Sequence, residues 1–170
     1  MGVGDPASSG FHFARCVCPL LAYSVESAPV KVLFFDRQNL ANPLNGTTID
    51  KSQSLRAIIQ GQQPRQPFLS ELIGENGHKL LVGLGATEGC VQFSSADGAP
   101  PYLMAVREDL EQEGSVQDFL IRNTATPVAH RFCLPMEKVA EIAIHFLESG
   151  ERSVSVGSPL GWGWIRIAAG

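Results

Sequence analysis

Cysteine is scarce in this chain, and long apolar runs are absent. Four cysteines (Cys16, Cys18, Cys90, Cys133) among 170 residues do not make the dense framework of a small disulfide-stapled domain. Cys16-Val-Cys18 has no second ligand pair beside it to complete a tetrahedral metal site. Cys90 and Cys133 sit in strand-like apolar runs, "GCVQF" and "RFCLP", where a free cysteine acts as a small buried hydrophobe. All four suit a reducing, cytoplasmic setting. No apolar stretch approaches the roughly 20 residues of a membrane-spanning helix, so a soluble protein with no membrane partner is expected.

A basic excess is also missing. Net charge is −4 and the isoelectric point about 5.5, the wrong sign for a chain that grips nucleic acid directly. The acidity is concentrated. "REDLEQEGSVQD", residues 107–118, holds Arg107 against Glu108, Asp109, Glu111, Glu113 and Asp118, and so carries the whole net charge by itself. Such a block is either a solvated loop or a steering surface for a basic partner.

No targeting signal is expected either. "RCVCPLLAY" has no basic lead-in and no small-residue cleavage pattern. The Met-Gly start has Pro6 where a myristoylation site needs Ser or Thr. Residues 1–29 read as an N-terminal extension, flexible over its Gly/Pro/Ser-rich opening, and residues 30–170 as a single domain. Hydrophobic residues make up 44% of the chain. A domain of this size buries roughly 70% of its unfolded surface, so it needs no metal or disulfide staple.

What is present is a succession of short strands. "VKVLFFD" (30–36) is β-branched and aromatic. "NPLNGTT" (42–48) carries two turn signals. "IDKSQSLRAIIQG" suggests a helix, with Asp50 as N-cap, Gln53 completing a capping box and Gly61 as the stop. Strands follow at 68–73, 79–84, 90–93 and 102–106, with Asn76-Gly77 and Asp97-Gly98 as turns. After the acidic block, 116–122 and 127–134 read as two further strands around "NTAT". "PMEKVAEIAIHFLESG" is the clearest helix, with Met136, Val139, Ala140, Ala143, Phe146 and Leu147 on one face and Gly150 beyond its end. Short strands are expected at 154–156 and 164–167. Sequential hairpins with only two helices predict an α+β fold: an antiparallel sheet, built as a meander of hairpins, with two main helices packed on one face.

Chemistry-bearing motifs are few. "GLGATEG" is one residue too long for a dinucleotide loop, has no Lys-Ser/Thr after it, and leads into a strand instead of the helix that would face an anion. Its glycines are expected to serve positive-φ turns and a bulge in a hairpin. His12, His78, His130 and His145 do not cluster. Glu141 and His145, four apart on the helix, read as a surface pair. Cys133 and His130, in a regular strand, would point to opposite faces. Trp162 and Trp164 either cap the core or form a recognition patch. Nothing calls for a catalytic residue, a cofactor or a metal.

"HKLLVGLGATEGCVQF", followed by "GSVQDFLIRNTATPVAHRFCLPMEKVAEIAIHFLESGERSVSV", resembles the Imm-one family of immunity proteins from bacterial polymorphic toxin systems. The resemblance spans residues 30–156 and is strongest in the helix and its "ESGERSVSV" end. Gly157 stands where the family often has tryptophan. The resemblance implies a cytoplasmic, non-enzymatic protein that binds a cognate toxin domain stoichiometrically. Toxins paired with the family include nucleic-acid deaminases among other classes. On that reading, Glu108, Asp109, Glu111, Glu113 and Asp118 are the candidate partner-binding residues, steering onto a basic toxin surface. The residues alone leave two alternatives open. One is a ligand-binding or enzymatic domain using Cys133, His130 and His78, with Cys90 as a further candidate. The other is an adaptor for a non-toxin partner.

Overall fold

The computed structural model describes Met1 and residues 30–107, 114–153 and 161–168. The N-terminal extension, the expected strand at 154–156 and four of the five acidic candidates (Glu108, Asp109, Glu111, Glu113) lie outside the described residues. So do His12, Cys16 and Cys18.

The fold is α+β. In chain order, β1 is Val32–Asp36, β2 Thr47–Ile49, α1 Ser52–Gln62, β3 Phe68–Gly74, β4 His78–Leu84, β5 Glu88–Ser95 and β6 Tyr102–Arg107. These are followed by β7 Val116–Ile121, β8 Thr124–Ala129, a short 3-10 turn His130–Phe132, β9 Leu134–Pro135, α2 Met136–Ser149 and β10 Trp162–Ile167. Seven strands lie side by side in the order β10-β6-β5-β4-β3-β1-β2, all antiparallel. The β7–β8 hairpin joins β3 through one parallel bridge, Phe68 to Leu120.

Strand alternation divides the side chains between two faces. Val32, Phe34, Phe68, Leu72, Leu80, Val82 and Val91 point to one face and are fully or almost fully buried. Leu55 and Ile59 of α1 and Val139, Ala143, Phe146 and Leu147 of α2 cover them in one continuous core. Ser52 Oγ on α1 donates to Glu148 on α2 at 2.8 Å. Every residue assigned to the buried face of the second helix is buried, joined by Ile142. Gly150 ends that helix at φ +71°.

The second face is only partly closed. Leu69, Cys90 and Met104, one residue out of phase with the main core, pack with Phe119 and Cys133 into a second cluster. Here the β7–β8 hairpin and the 3-10 turn fold over the sheet.

Several local expectations are corrected. α1 starts at Ser52 with Lys51 in the cap position and no side-chain cap bond, so Asp50 does not cap it, and it runs through Gly61 to Gln62. In the β3–β4 turn only Gly77 takes positive φ; the Gly77 N–H bonds the Gly74 carbonyl, as in a three-residue hairpin loop. Gly83, Gly85 and Gly89 do not have positive φ. A Cβ on Gly89 would stand 2.1 Å from the Gly83 carbonyl oxygen, and one on Gly83 2.7 Å from the Phe119 ring. Gly83 and Gly89 lie within strands and permit close approach, and Gly85 opens the 85–87 connection between β4 and β5 without positive φ. Glu141 pairs with Lys138 at 2.8 Å, not with His145. Both tryptophans lie in β10, half-buried against the main core, and Trp164 Nε1 donates to the Ser153 carbonyl at 2.9 Å.

Candidate functional site: the open face of the sheet

Cys133, His130 and Cys90 come closer together than their sequence spacing suggested. His130 is not in a strand: residues 130–132 turn as a 3-10 helix, closed by the Cys133 N–H on the His130 carbonyl at 2.9 Å. His130 Nε2 lies 2.8 Å from Glu88 Oε2, and Arg107 is 3.7 Å from Glu88 Oε1. The thiols nevertheless lack activation. Burial, reinforced by the neighbouring Cys133, pushes the Cys90 thiol up to about 12. Burial and the Glu88 carboxylate push Cys133 up to about 11. Thiols held so high are poor nucleophiles. His78 sits at the opposite end of β4, its ring tilted against Phe93 and beside the Gly150 carbonyl. Among the described residues, no group of three or more His, Cys, Asp or Glu could hold a metal ion.

The larger concavity, about 620 Å³, lies elsewhere, on the uncovered part of the second face. Glu71 and Leu81, cross-strand partners on β3 and β4, form its floor. Arg37 and Leu40, from the loop after β1, make one wall. Ile121, Arg122, Thr124 and Thr126, at the tip of the β7–β8 hairpin, make the other. A smaller concavity of about 240 Å³ lies farther along the same face, by Leu33, Thr48 and Ile73.

Each wall is held by specific chemistry. Asp36, buried at the end of β1, accepts from the backbone N–H of Gln38 and Asn39, from Asn42 Nδ2 and from Arg65 at 2.6 Å. Burial pushes its carboxyl up, but the bonds from Arg65, Asn42 and Asn39 outweigh this and hold it below the usual carboxylate value. The loop carrying Arg37 and Leu40 is folded around that one side chain. Arg37 then pairs with Glu71 at 2.5 Å, and Lys79 approaches the other oxygen of Glu71 at 3.7 Å. Glu71 Oε2 is fully buried, yet no donor is aligned on it; Arg37 compensates it by charge.

The opposite wall contains a backbone outlier. Arg122 has φ +54° in a two-residue turn between Ile121 and Thr124. Glycine or asparagine is the usual occupant of such a position, and a bulky residue there costs about 1 kcal/mol or more. Its N–H bonds the Arg37 carbonyl at 3.0 Å, so the two walls are tied together. Asp118, the one acidic candidate among the described residues, is exposed on β7, out of phase with Phe119 and Ile121. It therefore faces away from the concavity.

A match to the family described as immunity protein Imm1 covers residues 50–158. The chain belongs to the Imm1 immunity-protein family. No curated protein matches it. The match takes in α1, β3 to β9 and α2 but leaves out β1, so Arg37 and Leu40 of this Imm1 protein lie outside it while Glu71, Leu81 and Arg122 lie within it. The family implies immunity against a bacterial toxin and hence a toxin protein as partner. Sequence reasoning singled out the acidic block but missed the concavity. Its one local signal is the dipeptide Arg122-Asn123, of which Arg122 reads as the end of a strand and Asn123 as the start of the "NTAT" connection.

Proposed function

We propose that this chain neutralises a cognate toxin domain by stoichiometric binding in the cytoplasm, without catalysis of its own. The match to immunity protein Imm1 over residues 50–158 carries this reading. The unactivated thiols beside His130 support the absence of catalysis. The toxin is of a nucleic-acid-targeting class such as a deaminase. An enzyme of that kind presents a basic, phosphate-facing surface, which suits an inhibitor of net charge −4.

Glu108, Asp109, Glu111, Glu113 and Asp118 steer association onto that surface. The test is co-expression with the toxin encoded beside this gene, followed by kinetics on the purified pair. A one-to-one complex and rescue of growth are expected. Reversing Glu108, Asp109 and Glu111 to Lys is expected to slow association by about tenfold or more at low salt and to flatten its salt dependence. An unchanged on-rate would remove the steering role, and failure of rescue would remove the immunity reading itself.

A further inference from the structure

The concavity on the open face carries a charge opposite to that of the chain as a whole. Two guanidiniums, Arg37 and Arg122, border it, and their backbones are joined by a 3.0 Å hydrogen bond. Among the described residues Glu71 is the one carboxylate lining it, and that group is already matched by Arg37 and Lys79. Arg122 has no ion-pair partner among the described residues, and the Arg37 side chain is 44% exposed. The site is therefore net positive within a protein of net charge −4.

Beside the guanidiniums lies apolar surface. Leu40 is 57% and Ile121 36% exposed, two of the few large hydrophobics that the described residues leave open, and Leu81 is half-buried between them. Arg122 also holds a backbone conformation that glycine would adopt without strain. A bulky, charged side chain at such a position points to use of the side chain itself.

We infer that this concavity receives an acidic segment of the toxin. One partner carboxylate sits between Arg37 and Arg122, where guanidinium forks match carboxylate geometry, and an adjacent apolar side chain rests on Leu40, Leu81 and Ile121. The inference depends on the reading of this chain as a toxin-binding protein. It does not use Asp118, which faces the other way. The toxin would offer a basic surface to the acidic residues of 108–118 and an acidic loop to the cleft.

The toxin domain encoded beside this gene, titrated against wild type, Arg122→Gly and Arg122→Glu, tests it. Arg122→Gly is expected to melt at the same temperature or higher and to bind at least about tenfold more weakly. Arg122→Glu is expected to bind more weakly still. Equal affinity for all three forms would overturn docking at the cleft while leaving the immunity reading intact. Tighter binding by Arg122→Glu would show a basic occupant and overturn the acidic one. Absence of a wild-type complex would remove both readings together.

Discussion

On one face of the sheet, Val32, Phe34, Leu72, Leu80 and Val82 lie under two helices. On the other, their strand neighbours Leu33, Glu71, Lys79 and Leu81 meet a hairpin tip, a loop and solvent. The same backbone supports both, one residue out of phase. The first face is apolar and closed beneath the helices, with Ser70 and Asp36 as its buried polar groups at one end. The second contains a buried carboxylate, its cations, exposed leucine and isoleucine, and an arginine in a strained turn. The exposed Leu40 and Ile121 and the strained Arg122 add nothing to stability there, and a buried ion pair adds little. On the inference drawn above, the helical face serves folding and the open one recognition.

The sharpest way to test this division is to damage the helical face. Phe146 is fully buried, edge-on to Phe93 with ring centroids 6.2 Å apart. Phe146→Ala is expected to lower stability by about 4 kcal/mol, read from urea melts, while the molecules that remain folded bind toxin as wild type does. Loss of toxin affinity in that folded fraction would break the division between the faces.

A smaller effect is expected where the two roles meet. Asp36 lies at the end of a core strand and organises the loop that presents Arg37 and Leu40. Asp36→Ala removes a buried carboxylate from a half-exposed Arg65 and is expected to cost about 3 kcal/mol near neutral pH. The pH dependence has a definite sign. Because the folded carboxyl titrates below its ordinary 3.8, its contribution is complete above that value and is lost as the pH falls through the lower folded one. The stability gap between wild type and Asp36→Ala should therefore narrow in acid. A constant gap would mean that Asp36 acts by packing alone. Toxin affinity should fall as well, since the Arg37 wall loses its anchor.

How much of this was visible in the sequence divides along the same line. The second helix was legible because Met136, Val139, Ala140, Ala143, Phe146 and Leu147 recur at helical spacing and nothing competes with that signal. The central hairpins were legible because Asn76-Gly77 and Asp97-Gly98 mark their turns. The candidate site was not. Arg37, Glu71 and Arg122 are far apart along the chain and come together only because β1, β3 and the β7–β8 tip converge, which no local pattern encodes. His130 was misplaced for a related reason: "PVAHRFCL" is apolar enough to read as one strand, but it breaks into β8, a 3-10 turn and β9 so that Leu134 can pair with Gly89. The acidic block was conspicuous in composition, yet its one described member faces away from the concavity.

Gly83 offers the smallest and most discriminating perturbation of the open face. Its missing side chain lets Phe119 of the hairpin pack closely on β4: an added Cβ would stand 2.7 Å from the Phe119 ring and 2.6 Å from Cys90 Sγ. Both obstacles are side-chain atoms, so the structure can yield by lifting the hairpin. Gly83→Ala is expected to cost about 2 kcal/mol, within the range for overpacking a filled site. It should also shift the Arg122 tip and weaken toxin binding beyond what the stability loss explains. Cys90→Ala, introduced into that variant, frees space on one side only. It should recover part of the stability, and a double-mutant cycle would show coupling between the two positions. Additive effects would instead mean that the added methyl does not press on Cys90 and that its strain falls on Phe119 of the hairpin alone.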